Sequence, residues 1–377
     1  MFDHRLLPAA RRLALVGAVV LGVLAWNSAF AATPTTVHPG APTHQGLPHF
    51  MLALDQHPAA HSQPGKPGGK GGSFGPHNSC CTPPLIDNKG PVESPANVYL
   101  DFWGPQWSFG WSDVAANPCA GGYYNECTPA GPTSYSNASQ TIQTYVQDFF
   151  KAVAAGHTSP TWNNSQSQYG SKVPPVYGGS FVDSSSTPPT PVVTDNCVVA
   201  VCLIDQPPGQ QRDVETALNQ LGTEALAAEA HFGYAKGADY MIFLPPGAYP
   251  PGFGYYCAYH DEIYDNLGRK ISYSVIPYLP NAGYGCGENY VNLTNDTYGH
   301  GFLDGYSIVG GHEFAEAETD PFPFTAPAWQ DVNGNENGDM CAWGSVTTYP
   351  AGNIRGSGNF WAVQSLWSNS ARACVMN

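Results

Sequence analysis

Residues 310–321 have the sequence Gly-Gly-His-Glu-Phe-Ala-Glu-Ala-Glu-Thr-Asp-Pro. This is the pattern of the HExxH helix of zinc hydrolases, with a glutamate in place of the second histidine. On a helix, His312 and Glu316 lie one turn apart on the same face, where an imidazole nitrogen and a carboxylate oxygen can share one zinc ion. Glu313 then takes the position of the general base that activates metal-bound water. The alternative interpretation is a surface helix rich in Ala and Glu.

A zinc site needs a third protein ligand, and the sequence offers several. His260 and the acidic loop that follows the helix are favoured, because a ligand distant in sequence can approach the helix face across a cleft. A hydrogen bond between the two helix side chains in the core would need no ion and is the alternative. The candidates for the third ligand are Asp320, His260, His300, Glu336 and Asp339.

The acidic loop over residues 329–339 is a second candidate site. It spaces side-chain oxygens at alternate positions, and D-x-N-x-N is half of a calcium-loop signature. The glutamate that should close such a loop is replaced by Ala342. The sequence therefore leaves open a calcium site, a plain turn-rich loop, and a loop that supplies zinc ligands or substrate contacts. The calcium candidates are Asp331, Asn333, Asn335 and Asp339.

The amino-terminal end predicts export. Residues 1–31 contain three arginines, a short apolar run over 13–26 and the cleavage pattern Ala29-Phe30-Ala31, which together are typical of a signal peptide. No later run is long enough to span a membrane. The signal carries three arginines and one aspartate, so its removal changes the net charge from −15 to −17. Such a charge argues against nucleic acid as a partner. We expect a secreted protein that meets extracellular protein or peptide; the sequence does not predict its oligomeric state.

Composition divides the remainder into two parts. Residues 32–92 are dense in Pro, Gly, His and Ser, and such a segment buries too little apolar surface to fold alone. We predict a linker or a removable pro-segment there; because it holds six of the twelve histidines, a metal-collecting tract is the alternative. Over residues 93–377 strands and helices alternate, which predicts one domain of the α/β or α+β class with a mixed sheet.

Periodicity locates the main elements of this domain. A period of two predicts strands, and apolar residues at i, i+3, i+4 and i+7 predict helices. Gly310-Gly311 inside a helix lowers its stability, which suggests that another element passes close by. The predicted strands are 97–103, 176–182, 239–244, 255–260 and 271–278, and the predicted helices are 139–155, 212–232 and 303–318.

Ten cysteines, none of them in the signal, agree with an oxidising compartment and a fold held by disulfides. Spacing does not determine the connectivity. The pairings we expect are Cys119 with Cys127, Cys197 with Cys202, Cys257 with Cys286, and Cys341 with Cys374.

The chain resembles a family of secreted bacterial proteins described as metallopeptidase-like, most specifically in its last 75 residues. The resemblance covers about 97–377 and is carried by residues 307–316 with Thr-Asp-Pro at 319–321, by Trp-Gln-Asp at 329–331, by Gly334-x-Glu336-x-x-Asp339-x-Cys341-Ala-Trp, and by residues 360–369. More remotely, Cys257-x-x-His260 and the Thr-Asp-Pro segment resemble plant exordium/phosphate-induced cell-wall proteins. The resemblance to the bacterial family implies a zincin-like domain with an active-site helix.

These observations predict a secreted zinc-dependent hydrolase, a peptidase that acts on extracellular protein. In this interpretation His312 and Glu316 hold the ion and Glu313 is the base. A different class is a non-catalytic cell-wall or carbohydrate-binding protein, for which nine tryptophans and 21 tyrosines would supply stacking surfaces. A third is an acid carboxyl peptidase that uses Glu313 with Asp339 and needs no metal.

Overall fold

The computed structural model describes residues 49–53, 84–116, 133–159, 161–189, 208–344 and 351–377. Its centre is a six-stranded sheet with the order β1-β8-β9-β7-β3-β6. Strands β9, β7, β3 and β6 run parallel, β8 is antiparallel to β9, and β1 is antiparallel to β8. The predicted mixed sheet is confirmed. Its strands are β1 (His49–Leu52), β3 (Asn97–Trp103), β6 (Val176–Asp183), β7 (Ala238–Phe243), β8 (Tyr256–Tyr264) and β9 (Lys270–Ile276).

Helices cover both faces of the sheet. Strand β7 alternates: Met241 and Phe243 enter one hydrophobic core, whereas Tyr240 and Ile242 enter another on the opposite face. The first core also contains residues of α2 and α4, and the second contains residues of α3, so the domain has three layers and belongs to the α/β class. The helices are α1 (Gln106–Phe109), α2 (Ala138–Ala154), α3 (Pro208–Phe232) and α4 (Asp304–Thr319).

Helix α4 is the most enclosed element. All sixteen of its residues are buried, so the interpretation as a surface helix is wrong. The helix contacts β8 and β9 of the sheet, the hairpin strand β12 and the 3₁₀ helix Trp162–Tyr169. A methyl group on Gly311 would lie 3.0 Å from the Trp162 ring and 3.3 Å from the Phe149 ring. The helix therefore packs closely against these two rings at Gly311, as the sequence suggested.

Short strand pairs complete the fold around α4. β4 (Asp113–Val114) pairs with β5 (Ser134–Tyr135), β2 (Ile86–Asp87) with β10 (Trp329–Gln330), β11 (Ala351–Gly356) with β12 (Asn359–Gln364), and β13 (Leu366–Ser368) with β14 (Ala373–Val375). Further 3₁₀ segments occur at Leu279–Asn281, Gly283–Cys286 and Asp339–Gly344.

Two of the four expected disulfides are confirmed. Cys257 in β8 is bonded to Cys286, and Cys341 after the acidic loop is bonded to Cys374 in β14. The second bond fixes the acidic loop to the carboxyl-terminal strands. The other two expected pairs, Cys119 with Cys127 and Cys197 with Cys202, lie outside the described residues, as does the predicted signal peptide.

The domain includes two pieces of the segment that composition assigned to a linker or pro-segment. Strand β1 forms the edge of the central sheet, and β2 pairs with β10. Met51 of β1 is fully buried, and the Trp343 indole donates a hydrogen bond of 2.6 Å to the carbonyl of Leu52. The folded part therefore begins well before residue 93. Among the described helices, none has the length and apolar character needed to cross a membrane.

Candidate metal centre

Three separate parts of the chain bring acidic and imidazole side chains together beside α4. The helix itself contributes His312, Glu313 and Glu316, strand β8 contributes His260, and the acidic loop contributes Glu336 and Asp339. All of these side chains are fully buried except that of Asp339, which is 17% exposed. Burying this many ionisable groups costs free energy unless each is paired or bound to an ion.

The first group of possible metal ligands lies on α4 alone. His312, Glu313 and Glu316 each place a donor atom within 4.8 Å of the others. The His312 Nε2 atom is 3.1 Å from Glu316 Oε1 and 3.7 Å from Asp339 Oδ1. The one-turn spacing inferred from the sequence thus aims both side chains at the same place, and the acidic loop approaches it from outside.

The second group combines all three parts of the chain. His260, Glu316 and Glu336 also place donor atoms within 4.8 Å of one another. His260 Nδ1 lies 3.4 Å from Glu313 Oε2 and 3.6 Å from Glu316 Oε2, and His260 Nε2 lies 3.6 Å from Glu336 Oε2. Both groups can hold a metal ion, and Glu316 belongs to each of them.

Gln364 of β12 determines which nitrogen of His312 faces the site. The Gln364 Nε2 atom donates to the carbonyl of Gly338 at 2.8 Å, so its Oε1 atom is the one directed at His312 Nδ1, 3.2 Å away. An amide oxygen can only accept, so His312 donates from Nδ1, and its Nε2 atom faces Glu316 and Asp339. A partner on the second ring nitrogen is the usual arrangement for a metal-binding histidine.

The acidic loop lies directly against the helix side chains at Gly338. A methyl group there would be 2.7 Å from His312 Nδ1 and 2.9 Å from Glu316 Oε1. The next residue, Asp339, donates its backbone N–H to Glu316 Oε1 at 2.9 Å. Only glycine at position 338 lets the backbone pass this close, so the loop forms one wall of the site.

Electrostatics favour a cation at this place. Burial alone would lower the pKa of His312, but the carboxylates of Glu316, Glu313 and Asp339 outweigh it and raise that pKa to about 9. The field that stabilises a proton on the imidazole also stabilises a metal ion, which has to displace the proton in order to bind.

Two candidates for the third ligand lie elsewhere. Asp320 accepts a hydrogen bond from the Ala328 N–H at 2.7 Å. His300 has both ring nitrogens engaged, with Asp296 Oδ2 at 2.6 Å and the Phe360 carbonyl at 2.8 Å. Neither belongs to the two groups that can hold an ion among the described residues. The structure therefore favours His260 and Glu336, which belong to one of the two groups, and places Asp339 Oδ1 3.7 Å from His312 Nε2.

The candidate calcium ligands are not gathered around one point. The two oxygens of Asp331 accept hydrogen bonds from the backbone and side-chain amides of Asn333 and Asn335, at 2.7 to 3.4 Å. Asp339 instead faces His312 and also accepts from the Glu336 N–H. These contacts are those of a side-chain-stabilised turn. The calcium site stays a prediction, without support from this geometry.

Three contributing residues were not identified from the sequence. Gln364 and Gly338 contact His312 directly, and Asn337 anchors the loop by donating to the Ala315 carbonyl and to Thr319 Oγ1. Gln364 and Gly338 lie within the segments that carried the family resemblance. That clustering was the available signal, but the pairing between segments is a product of the tertiary fold.

Comparison with known proteins does not add to this picture. No protein-family model matches the chain, and neither the curated proteins nor the solved structures contain a significant match.

Proposed function

We propose that this protein is a secreted zinc-dependent hydrolase whose substrates are peptide bonds of extracellular protein. The observation that carries the proposal is the position of His312, Glu313 and Glu316 on one turn of a fully buried helix, facing His260 and the acidic loop. This is the arrangement expected of two metal ligands and a base, with further donors opposite.

Zinc bound here would polarise a substrate carbonyl and lower the pKa of a coordinated water. His312 and Glu316 would hold the ion, and the hydrogen bond to Gln364 keeps the His312 ring in the orientation that directs Nε2 inward. Glu313 lies beside both ligands and would take the proton from the attacking water. A histidine and a glutamate, with a nearby aspartate, are donors that suit zinc.

An extended peptide is the substrate class best supported by the sheet. Strand β8, which carries His260, pairs along its outer edge with the four-residue strand β1, and His49 and His260 are register partners. This edge therefore already accepts an extended segment through main-chain hydrogen bonds. A substrate strand that took the place of β1 on this edge would lie next to the candidate metal centre.

The competing function is a non-catalytic extracellular binding protein with a structural ion. The burial of the site favours it, because the innermost ligands are fully enclosed and Asp339 is the most exposed member of the group. A catalytic site must admit substrate, so the peptidase requires movement of the acidic loop or of β1. The acid carboxyl peptidase predicts cleavage without metal at low pH, which the same assays would detect.

Metal analysis of the purified mature protein is the first test. We expect zinc after gentle purification and zinc resupply, and we expect His312→Ala to lose it. Zinc far below one equivalent in the wild type would end the proposal.

The second test separates enzyme from binding protein. Glu313→Gln keeps the size and hydrogen bonding of the side chain but removes the base, so zinc content should persist while peptide hydrolysis falls by about 100-fold or more. Glu229→Gln is the matched control, because Glu229 lies on α3, on the opposite face of the sheet, where it pairs with Arg269. Full zinc occupancy with no cleavage of casein or peptide libraries at any pH would favour the structural ion.

A further inference from the structure

Glu316 is placed between the two histidines of the site. Its Oε1 atom is 3.1 Å from His312 Nε2, whereas its Oε2 atom is 3.6 Å from His260 Nδ1. The two oxygens of one carboxylate therefore face two different imidazoles. Each carboxylate oxygen has two lone pairs, so Oε1 can accept the Asp339 N–H and still bind an ion.

The distances agree with two separate ligand sets. Two donors on a tetrahedral ion with bonds of about 2.0–2.2 Å lie about 3.3–3.6 Å apart. Around His312 the donor pairs with Glu316 and Asp339 measure 3.1 and 3.7 Å. Around His260, Glu316 Oε2 is 3.6 Å from Nδ1 and Glu336 Oε2 is 3.6 Å from Nε2, and one donor atom from each of the three residues lies within 4.8 Å of the others.

The two histidines do not form one ligand set. The groups that can hold an ion are His312 with Glu313 and Glu316, and His260 with Glu316 and Glu336; within the described part of the chain neither group contains both histidines. Two ligands of one ion cannot be farther apart than twice a bond length, about 4.4 Å. An ion held by either of these groups would use one histidine, and the other histidine would lie outside that ligand set.

We propose that the site binds two divalent metal ions bridged by the carboxylate of Glu316, one at His312 and the second at His260 and Glu336. This inference rests on the proposed function, because the second ion would lie beside the zinc whose bound water Glu313 would deprotonate. Paired ions about 3.5–4 Å apart are a recurrent device for holding both a nucleophile and the substrate oxygen.

Formal charge supports two ions over one. Glu313, Glu316, Glu336 and Asp339 supply four carboxylates, three of them fully buried, and the two imidazoles are neutral when they bind metal. One divalent ion offsets half of this charge, and two offset all of it. Because a net charge in a buried site is costly, the doubly occupied state is the better balanced one.

Stoichiometry tests the second ion. Zinc bound per chain is measured after resupply and removal of free metal, for the wild type, Glu336→Gln and the control Glu229→Gln. Glu229 lies on α3, on the opposite face of the sheet, where it pairs with Arg269. We expect two equivalents for the wild type and the control, and one for Glu336→Gln. If the wild type binds one equivalent of zinc, the second ion is refuted and the proposed hydrolase stands. If the wild type binds no zinc, the hydrolase itself is refuted. Two equivalents in Glu336→Gln would also overturn the proposed ligand set.

A second measurement does not depend on a variant that has to fold. Manganese replaces zinc in the wild-type protein, and electron paramagnetic resonance is recorded at two equivalents. Bridged ions at this separation should give an exchange-coupled spectrum in place of the six lines of isolated manganese. Isolated signals at full loading would refute the bridge through Glu316.

Discussion

Replacing Gly338 by alanine tests whether the acidic loop forms a wall of the metal centre. The added methyl carbon would lie 2.7 Å from His312 Nδ1, 2.9 Å from Glu316 Oε1 and 3.0 Å from His312 Cε1. Ordinary contacts of such atoms begin near 3.4 Å, so the methyl overlaps the imidazole by about 0.7 Å. Either the loop or the two ligands must move.

The loop has little freedom to retreat. The Gly338 carbonyl is held by Gln364 Nε2 at 2.8 Å, the Asp339 N–H is held by Glu316 at 2.9 Å, and the Asn337 carbonyl is held by the Trp367 N–H at 2.9 Å. Overpacking of this kind costs about 1–3 kcal/mol, and each hydrogen bond that breaks to relieve it costs about 1 kcal/mol more. Displacement of His312 should lower metal affinity about 10- to 100-fold, which is the typical effect of disturbing groups that orient a ligand.

The assay combines urea unfolding of the metal-free protein with zinc affinity from competition against a chelator. Gly285→Ala is the matched control, because a methyl group there meets nothing within 4 Å and the backbone is not left-handed. Gly338→Ala should lose both stability and affinity relative to this control. Equal values for the two variants would show that the loop does not lie against the ligands as described.

Three further outcomes are expected. Met51→Ala should lower the free energy of unfolding by about 2–5 kcal/mol because this β1 side chain is fully buried, whereas Leu267→Ala, at 72% exposure, should change little in the same urea titration. Burial raises the pKa of Asp101 to about 7, above its unfolded value near 4. The contribution of the protonated carboxyl to the free energy of unfolding is therefore complete below pH 4 and is lost as the pH rises towards 7. In Asp101→Asn the free energy of unfolding should fall less steeply with pH, by up to about 1.4 kcal/mol per pH unit. Wild-type and variant stability curves that run parallel from about pH 4.5 to 7.5 would contradict this. Gln364→Ala should weaken zinc binding about 10- to 100-fold, and an unchanged affinity would show that the His312 hydrogen bond is not needed to orient the ring.

Local patterns were sufficient to predict the main strands and helices of residues 93–377. Residues 97–103 form β3 as expected, and α4 starts and ends one residue later than the predicted helix at 303–318. Strand alternation and helical periodicity depend only on neighbouring residues, so a single sequence is enough to recognise them. The relative position of His312 and Glu316 is also local information, because a helix fixes the geometry of residues four apart.

The remaining ligands depend on contacts between distant segments. His260 reaches the site because β8 lies between β1 and β9 in the sheet and contacts α4. Glu336 reaches it because a disulfide and the carboxyl-terminal strands hold the acidic loop. No local pattern distinguishes His260 from His300, whose nitrogens are engaged elsewhere. Composition averaged over residues 32–92 also concealed β1, since four residues become a strand only when an existing edge accepts them.

The burial of α4 explains why the metal and the fold should be considered together. A helix with two glutamates and a histidine next to one another would normally turn that face to water, but Asp304–Thr319 is enclosed on every side. The enclosing elements do not supply a hydrocarbon core at this point; they supply His260, Glu336 and Gln364, which are polar themselves. Hydrogen bonding fixes the positions of some of these groups, but it does not neutralise a surplus of carboxylates, whereas a divalent cation does. The same packing that makes the site costly without an ion also places donor atoms of three residues within 4.8 Å of one another, so little conformational entropy would remain to be lost if an ion binds.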